Sequence, residues 1–174
     1  MNLKGKKVLL RAIEEKDLKC LLEIINDENI EKMLGGFSFP ISQENQKSWY
    51  SNLKIVENQL RCVVDIEGIC IGMVILSDID YKNGTAEIHI KLQNSKIRRN
   101  GYGYDALRTI ILYAFQELRL NCIYSYVLDY NIPSQNLFKK LGFKRDGILR
   151  ERVYKNGEYN DLVSFSIKNE ELND

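Results

Sequence analysis

Arg98-Arg99-Asn100-Gly101-Tyr102-Gly103 is a basic loop with two glycines that leads directly into a predicted helix. Glycine adopts positive φ at low cost and lets a ligand approach the backbone closely. Behind the loop, apolar residues recur at helical spacing: Leu107, Ile110, Ile111, Ala114 and Leu118. A helix N-terminus presents unpaired N–H groups and the positive end of the helix dipole. With two arginines beside it, this helix start predicts a site for a phosphate-bearing ligand.

Two other interpretations of this loop compete with the first. A solvated turn can contain Arg and Gly by composition alone. Residues 101–106 also fit the dinucleotide fingerprint G-x-G-x-x-G/A, with Asp129 where a ribose-binding acid could lie. A dinucleotide fold is disfavoured because a polar stretch precedes the loop, the preceding strand alternates in polarity, and only about 45 residues follow Asp129. The absence of a following Gly-Lys-Ser/Thr excludes a Walker A loop.

The composition is that of one ordinary globular domain, which we assign to residues 1–174. A formal net charge of +1 gives no basic field for nucleic acid, and the basic run at residues 4–7 is interpreted as a solvated strand edge. No apolar stretch matches a membrane span or a signal segment, which predicts a cytoplasmic protein. Four scattered cysteines and a single histidine predict reduced thiols and no metal site.

The order of elements predicts an α+β fold. Helical periodicity predicts helices at 14–25, at 42–53, after Gly103, and from Pro133 to Leu141-Gly142. Strands are predicted at 8–12, 60–65, 70–76, 85–92, 122–128 and on both sides of Asn156-Gly157. Turn signals join most of these strands as hairpins. We therefore expect a mostly antiparallel sheet with helices on both faces.

In this order, the elements resemble the GNAT superfamily of acyl-CoA-dependent N-acetyltransferases. Residues 98–103 look like the family's R/Q-x-x-G-x-G/A loop. Asn131-Ile132-Pro133-Ser134, followed by Leu137-Phe138-Lys139-Lys140-Leu141-Gly142-Phe143, is similar to its second cofactor motif. The resemblance covers nearly the whole chain and implies a single-domain sheet that is splayed at the cofactor site.

Three further stretches resemble the RimJ/RimL branch, which acetylates the N-termini of ribosomal proteins. They are Leu10-Arg11-Ala12, Asn26-Asp27-Glu28 and residues 154–161. The last stretch also looks like spermidine N-acetyltransferases. These motifs are weak indicators of the acceptor, although they support the superfamily.

The resemblance implies acetyl-CoA as co-substrate and assigns residues to it. The pyrophosphate would lie on the backbone N–H groups of Arg98, Arg99, Asn100, Gly101, Tyr102 and Gly103. The pantetheine arm would pair with the backbone of Lys91, Leu92 and Gln93. Asn131 would add a side-chain amide, and Phe138 would lie beside the cofactor in the second motif. Taken without the resemblance, Asn131 is a turn residue before Pro133.

Acetyl transfer to an amine requires a base and a proton donor for the leaving thiolate. Glu87 is the predicted base, acting through a water, since it lies on the strand that leads to the cofactor loop and shares a face with His89 and Lys91. His89 is a weaker candidate. Phe138 stands where many family members have a proton-donating Tyr, so Ser134 is the predicted donor to sulfur, or else a helix cap.

A RimL-type carboxylate near the final hairpin maps onto Val153. Glu151 lies two residues earlier and shares that face only if the strand is regular. Phe138 and Val153 differ from the residues that the family uses at these positions. A non-catalytic acyl-CoA-binding module therefore remains an alternative function.

The acceptor is predicted to be a protein or peptide α-amine, with a small amine such as a polyamine, amino sugar or antibiotic as the alternative. The early part of the chain contains seven acidic residues: Glu14, Glu15, Asp17, Glu23, Asp27, Glu28 and Glu31. These residues either attract a cationic acceptor or form a solvated helix face. Several aromatic residues either line an acceptor groove or belong to the core: Phe37, Phe39, Trp49, Tyr154 and Tyr159. The sequence leaves a homo-oligomer open.

Overall fold

A computed structural model describes residues 1–36, 39–54, 56–93 and 100–172. The helices are α1 Leu18–Ile25, α2 Glu28–Glu31, α3 Gln43–Ser51, α4 Tyr102–Gln116 and α5 Ile132–Lys140, and 3-10 turns cover Glu15–Asp17 and Asn169–Glu171. The strands are β1 Leu3–Lys4, β2 Leu9–Arg11, β3 Leu60–Ile66, β4 Ile69–Asp80, β5 Thr85–Leu92, β6 Cys122–Leu128, β7 Lys144–Lys155 and β8 Glu158–Lys168.

The predicted α+β fold is confirmed, and β5 and β6 match their predicted limits to the residue. Ser42 caps α3 as expected, since its hydroxyl accepts the Asn45 N–H. Two elements were not predicted, α2 and β1. At four and two residues they are too short to produce a periodic pattern, and α2 forms because Asp27 accepts N–H groups at its start.

The sheet has eight strands in the order β1-β2-β3-β4-β5-β6-β8-β7. Every neighbouring pair is antiparallel except β5 and β6, which run parallel. This parallel pairing covers only Thr85–Glu87 against Cys122–Tyr124, although both strands continue well beyond it. The two halves of the sheet therefore separate after Glu87, and we call this opening the fork.

Helices cover both faces of the sheet, as predicted. On one face α4 packs on the main apolar core, which includes Leu10, Val64, Leu76, Ile88 and Phe165. On the other face a smaller cluster joins Val63 of β3 to α1 and α3 through Leu21 and Trp49. Val63 and Val64 are both fully buried, because neighbouring residues of a strand point to opposite faces.

None of the described helices is long and apolar enough to cross a bilayer. The four cysteines are all free thiols, and Cys62 and Cys70 are buried.

A buried charge cluster joins the start of the chain to the sheet. Arg11 contacts Asp17 through two hydrogen bonds of 2.7 and 2.8 Å, and its Nε donates to Asp65 at 2.7 Å. Burial alone would raise the pKa of Asp17, but hydrogen bonds from Arg11 and the Glu14 N–H outweigh it and lower that pKa. The stability that this carboxylate contributes is present above its ordinary pKa and is lost as the pH falls through the lowered value.

Replacing Arg11 by Met is expected to lower the free energy of unfolding by about 3–5 kcal/mol, because two buried carboxylates lose their counter-charge. Denaturant unfolding monitored by circular dichroism measures this loss. The same variant with Asp17→Asn and Asp65→Asn should regain part of it, since the uncompensated charges are removed. A single variant as stable as the wild type would show that the cluster does not stabilise the fold.

Candidate active site

The fork begins at a carboxylate. Glu87 and Tyr124 face each other as the last pair that joins β5 to β6. Further along β5, the Gln93 N–H donates to Ile71 O of β4 at 2.9 Å. Since successive N–H groups of a strand point to opposite edges, the Leu92 N–H points away from β4 and into the fork. The fork thus offers main-chain hydrogen-bonding groups to a peptide-like ligand at Leu92, while those of Gln93 face β4.

The glycine loop ends beside the fork. Gly101 caps α4 with φ of 80°, a left-handed conformation that few side chains adopt. A Cβ on Gly103 would lie 3.3 Å from Leu92 Cδ1 and 3.6 Å from Leu137 Cδ2, so this glycine lets α4 approach both β5 and α5. Asn100 and Tyr102, the neighbours of Gly101, are described, and their predicted contact with the cofactor stays a prediction. The two predicted arginines, Arg98 and Arg99, lie outside the described residues.

Lys7 is a basic residue at this loop that sequence reasoning missed. Its Nζ donates to the Asn100 carbonyl at 2.8 Å and lies 3.3 Å from the position of a Cβ on Gly101. The sequence favours a solvated strand edge for residues 4–7, because no local signal links Lys7 to Asn100, which is 93 positions away. Lys7 therefore adds positive charge directly beside the helix start.

Asp105 explains how Lys7 reaches the loop. Its buried carboxylate accepts the backbone N–H groups of Lys6, Lys7 and Val8 at 3.1, 2.6 and 3.0 Å. This residue lies within the stretch that fits a dinucleotide fingerprint, but its carboxylate is used to hold the β1–β2 turn against α4. The dinucleotide alternative is removed by the sheet, because the strand before this loop pairs antiparallel with β4 whereas a dinucleotide fold needs a mostly parallel sheet.

Glu87 shares the face of the sheet opposite α4 with His89. Burial raises the pKa of Glu87, and the negative charge of Asp78 raises it further. His89 Nε2 lies 3.6 Å from Glu87 Oε1 and 2.9 Å from Ser77 Oγ. Burial lowers the pKa of His89 and the charge of Lys91 lowers it further, so the ring is neutral near pH 7 and the contact with Glu87 is not an ion pair. Glu87 is thus a carboxylate with raised proton affinity at the start of the fork.

Lys91 lies on the same face, two residues beyond His89, and is partly buried. Burial lowers its pKa. Across the parts of the chain that the structure describes, no carboxylate forms an ion pair with it. The face therefore carries a cation without a carboxylate partner, four residues along β5 from Glu87, which is about 13 Å along the strand.

The second predicted motif forms the start of α5. Asn131, and not Ser134, is the helix cap, because Asn131 Oδ1 accepts the Ser134 N–H at 3.2 Å. Asn131 Nδ2 also donates to Met33 O at 2.9 Å, and an amide nitrogen keeps a second N–H for another acceptor. No described residue hydrogen-bonds to the half-buried Ser134 hydroxyl, which therefore remains able to donate. Phe138 is buried and packs against Phe143 in the core.

The final hairpin brings no carboxylate to Val153. Val153 is buried, and β7 is irregular between Leu149 and Val153. Glu151 lies in this irregular stretch with φ of 52°, exposed, and its N–H donates to Asp161. Because the strand is not regular, the condition for Glu151 to share the face of Val153 is not met.

Two other features of the molecule do not contribute to this site. A cavity of about 640 Å³ lies between residues 1–6 and α4, but none of the predicted site residues line it. Within the described ranges no group of three or more His, Cys, Asp or Glu could hold a metal ion. The fork and the helix start, and not this cavity, are therefore the candidate active site.

A sheet that forks beside a glycine-led helix start, with a carboxylate at the fork, defines a CoA-dependent acyltransferase. The chain belongs to the acetyltransferase (GNAT) domain family, whose model matches residues 7–144. It is an acetyl-CoA-dependent N-acetyltransferase. This confirms the predicted superfamily and the predicted co-substrate, and it removes the non-catalytic alternative.

Several related proteins match this chain over most of its length. The putative ribosomal N-acetyltransferase YdaF of Bacillus subtilis is 29% identical, over 92% of this chain and 90% of the relative. The spermidine N(1)-acetyltransferase of Vibrio cholerae is 30% identical, over 88% of each. A crystal structure of spermidine N-acetyltransferase from Vibrio cholerae with CoA and spermine matches with a TM-score of 0.86 and 26% identity, over 96% of this chain and 98% of that chain. Because the relatives differ in acceptor, the family alone does not assign one here.

Proposed function

We propose that this enzyme acetylates the α-amine of a protein or peptide. The observation that carries the proposal is the unpaired ammonium of Lys91 on the same face as Glu87. A polyamine presents several positive charges along its length, and Lys91 would repel the second of them. A peptide N-terminus presents one positive charge followed by neutral amides, which suits a face with one carboxylate and, four residues along the strand, one cation.

The acidic residues of the early helices do not favour a polycation either. Glu31 forms an ion pair with Lys155, and Glu28 pairs with Lys32 one helical turn away. Asp17 is buried against Arg11. Much of the negative charge that the sequence places near the acceptor side is therefore neutralised within the protein.

In the proposed chemistry, Glu87 accepts a proton from the acceptor ammonium through a water. The neutral nitrogen attacks the thioester carbon, and the resulting oxyanion is stabilised by main-chain N–H groups of the fork, of which Leu92 supplies one. The C–S bond then breaks, the nitrogen passes its second proton to the departing sulfur so that CoA leaves as the thiol, and the Ser134 hydroxyl stabilises the developing thiolate by donating a hydrogen bond to it. The amide product leaves with CoA, and the proton on Glu87 passes to water.

A small polyamine is the second candidate acceptor. It is favoured by Asp78, an exposed carboxylate whose charge acts on Glu87 and His89 from the neighbouring strand. Two carboxylates that act on one another could bind a diamine segment between them.

An acceptor panel separates the two candidates. Thiol release from acetyl-CoA should be at least about tenfold faster with peptides bearing a free α-amine than with spermidine or spermine, which corresponds to about 1.4 kcal/mol of discrimination. Mass spectrometry of the peptide products should place the acetyl group on the α-amine. As a control, peptides with blocked N-termini should give no release. Faster release with the polyamines would reverse the assignment.

A further inference from the structure

The segment that contains α1 and α2 crosses the fork. At its first end, α1 packs on the β4–β5 half of the sheet, where Cys20 Sγ donates to Cys70 O at 3.2 Å. Gln93 Nε2, at the end of β5, donates to Glu23 Oε2 at 3.3 Å. At its second end, the chain contacts the opposite half of the sheet, since a Cβ on Gly35 would meet Leu162 and Val153 at 3.6 and 3.7 Å.

The second end lies on the face that carries Glu87. Glu87 pairs with Tyr124 across the fork, and residues that pair across a sheet share a face. Leu128 is four residues beyond Tyr124 on β6 and pairs with Leu162 of β8. Gly35, which contacts Leu162, therefore lies over the same face as the proposed base. The segment therefore lies on the face from which an acceptor would approach Glu87.

Three successive carbonyl groups anchor the second end. Lys155 Nζ donates to Glu31 O at 3.1 Å, Tyr130 Oη donates to Lys32 O at 2.6 Å, and Asn131 Nδ2 donates to Met33 O at 2.9 Å. We call these three contacts the carbonyl clamp. The donors come from β7 and from the turn before α5, so the clamp joins the last hairpin and the second cofactor motif to the acceptor side.

Lys155 is the strongest member of the clamp. Only 8% of its side chain is exposed, and the ammonium contacts both the carboxylate and the carbonyl of Glu31. Buried charges are costly unless they are paired, so this contact has a strong preference for one geometry. The hairpin that carries Lys155 is itself fixed, because Asn160 Nδ2 donates to the carbonyls of Lys155 and Glu158.

We infer that Lys155 is a positioning residue that holds residues 31–36 in one place across the fork and thereby determines the apparent affinity for the acceptor. This inference rests on the proposed acetyl transfer at Glu87. Without the ammonium, Glu31 loses its counter-charge and its carbonyl loses a donor, and the segment is released from β7. None of the three clamp contacts involves Asn100, Gly101 or Tyr102 at the start of α4.

Steady-state kinetics of Lys155→Met tests the inference. The KM for a peptide acceptor should rise about tenfold, while the KM for acetyl-CoA stays within twofold of the wild type. Hydrogen exchange followed by mass spectrometry should show faster exchange at the Met33 and Leu34 amides, which bond to Ile30 O and Glu31 O. Lys144→Met is the matched control, because it breaks the exposed ion pair of Lys144 with Glu171 at the other end of β7. This control should change neither KM nor exchange.

Tyr130→Phe provides a second variant that removes one donor and no charge. Tyr130→Phe should raise the acceptor KM and speed exchange at the Met33 and Leu34 amides, both to a smaller extent. If Lys155→Met fails to fold, Tyr130→Phe provides the test in its place. Unchanged exchange and unchanged acceptor KM in a folded Lys155→Met or Tyr130→Phe variant would overturn the inference. If the wild type releases no thiol with any amine, the proposed function fails, while the exchange experiment still decides whether the clamp holds the segment.

Discussion

A Gly101→Asp variant is expected to lose about 100- to 1,000-fold in affinity for acetyl-CoA. The new carboxylate would stand at the start of α4, where the diphosphate is proposed to bind. Repulsion between unit charges about 4 Å apart costs about 4 kcal/mol at an effective dielectric constant of 20. The carboxylate could also pair with Lys7, whose Nζ is 3.3 Å from the Cβ position, and so remove a positive charge from the loop. Isothermal titration calorimetry with acetyl-CoA measures the loss.

Gly101→Asn separates charge from backbone strain. Gly101 has φ of 80°, and Asn and Asp are the residues after glycine that most often adopt this left-handed region. The two variants therefore place side chains of nearly equal size on the same backbone, and only one is charged. The Asn variant should keep its affinity within about tenfold of the wild type, a cost of about 1.4 kcal/mol or less. If Gly101→Asp binds acetyl-CoA as tightly as the wild type, the diphosphate does not lie at this loop.

A Glu87→Gln variant is expected to lower kcat by about 10²- to 10⁴-fold, the usual contribution of a general base. Gln keeps the shape of the side chain but cannot accept a proton from the acceptor. The dissociation constant for acetyl-CoA should not change, because Glu87 is not part of the loop at the start of α4. Initial rates of thiol release, together with calorimetry, separate the two effects. Unchanged turnover at every pH would remove Glu87 as the base.

The pH profile gives an independent test of Glu87. A base acts only when deprotonated, so the rate should rise with pH through the pKa of Glu87, which burial and then the charge of Asp78 raise above its ordinary value. Asp78→Asn removes the second cause, and Asn tolerates the φ of 50° at this position. The rising limb should therefore move to lower pH in this variant. It should disappear in Glu87→Gln, and an unmoved limb in Asp78→Asn would show that another group titrates.

Local sequence patterns explain why some features of the candidate site can be predicted from the sequence and others cannot. Gly101 and Gly103 could be found because the motif, the apolar periodicity behind it and the turn chemistry all act within a few residues. Glu87 could be named from the alternation of β5, but its place at the fork could not. Glu87 lies at the fork because the pairing of β5 with β6 ends at Glu87 and Tyr124. Tyr124 is 37 positions later in the sequence, so no local pattern reports this pairing.

The sequence by itself determined the order of the longer elements, the limits of β5 and β6, the glycine loop that leads into α4 and the resemblance to the family. These features depend on local conformational preferences and on periodic burial, which nearby residues report. Only the tertiary structure decided that Lys7 lies at the glycine loop, that Asp105 is used by the β1–β2 turn and that Lys155 holds Glu31, 124 positions away. Such contacts arise when sheet register and helix packing bring distant parts of the chain together, and no periodicity along the sequence records which distant side chains will meet.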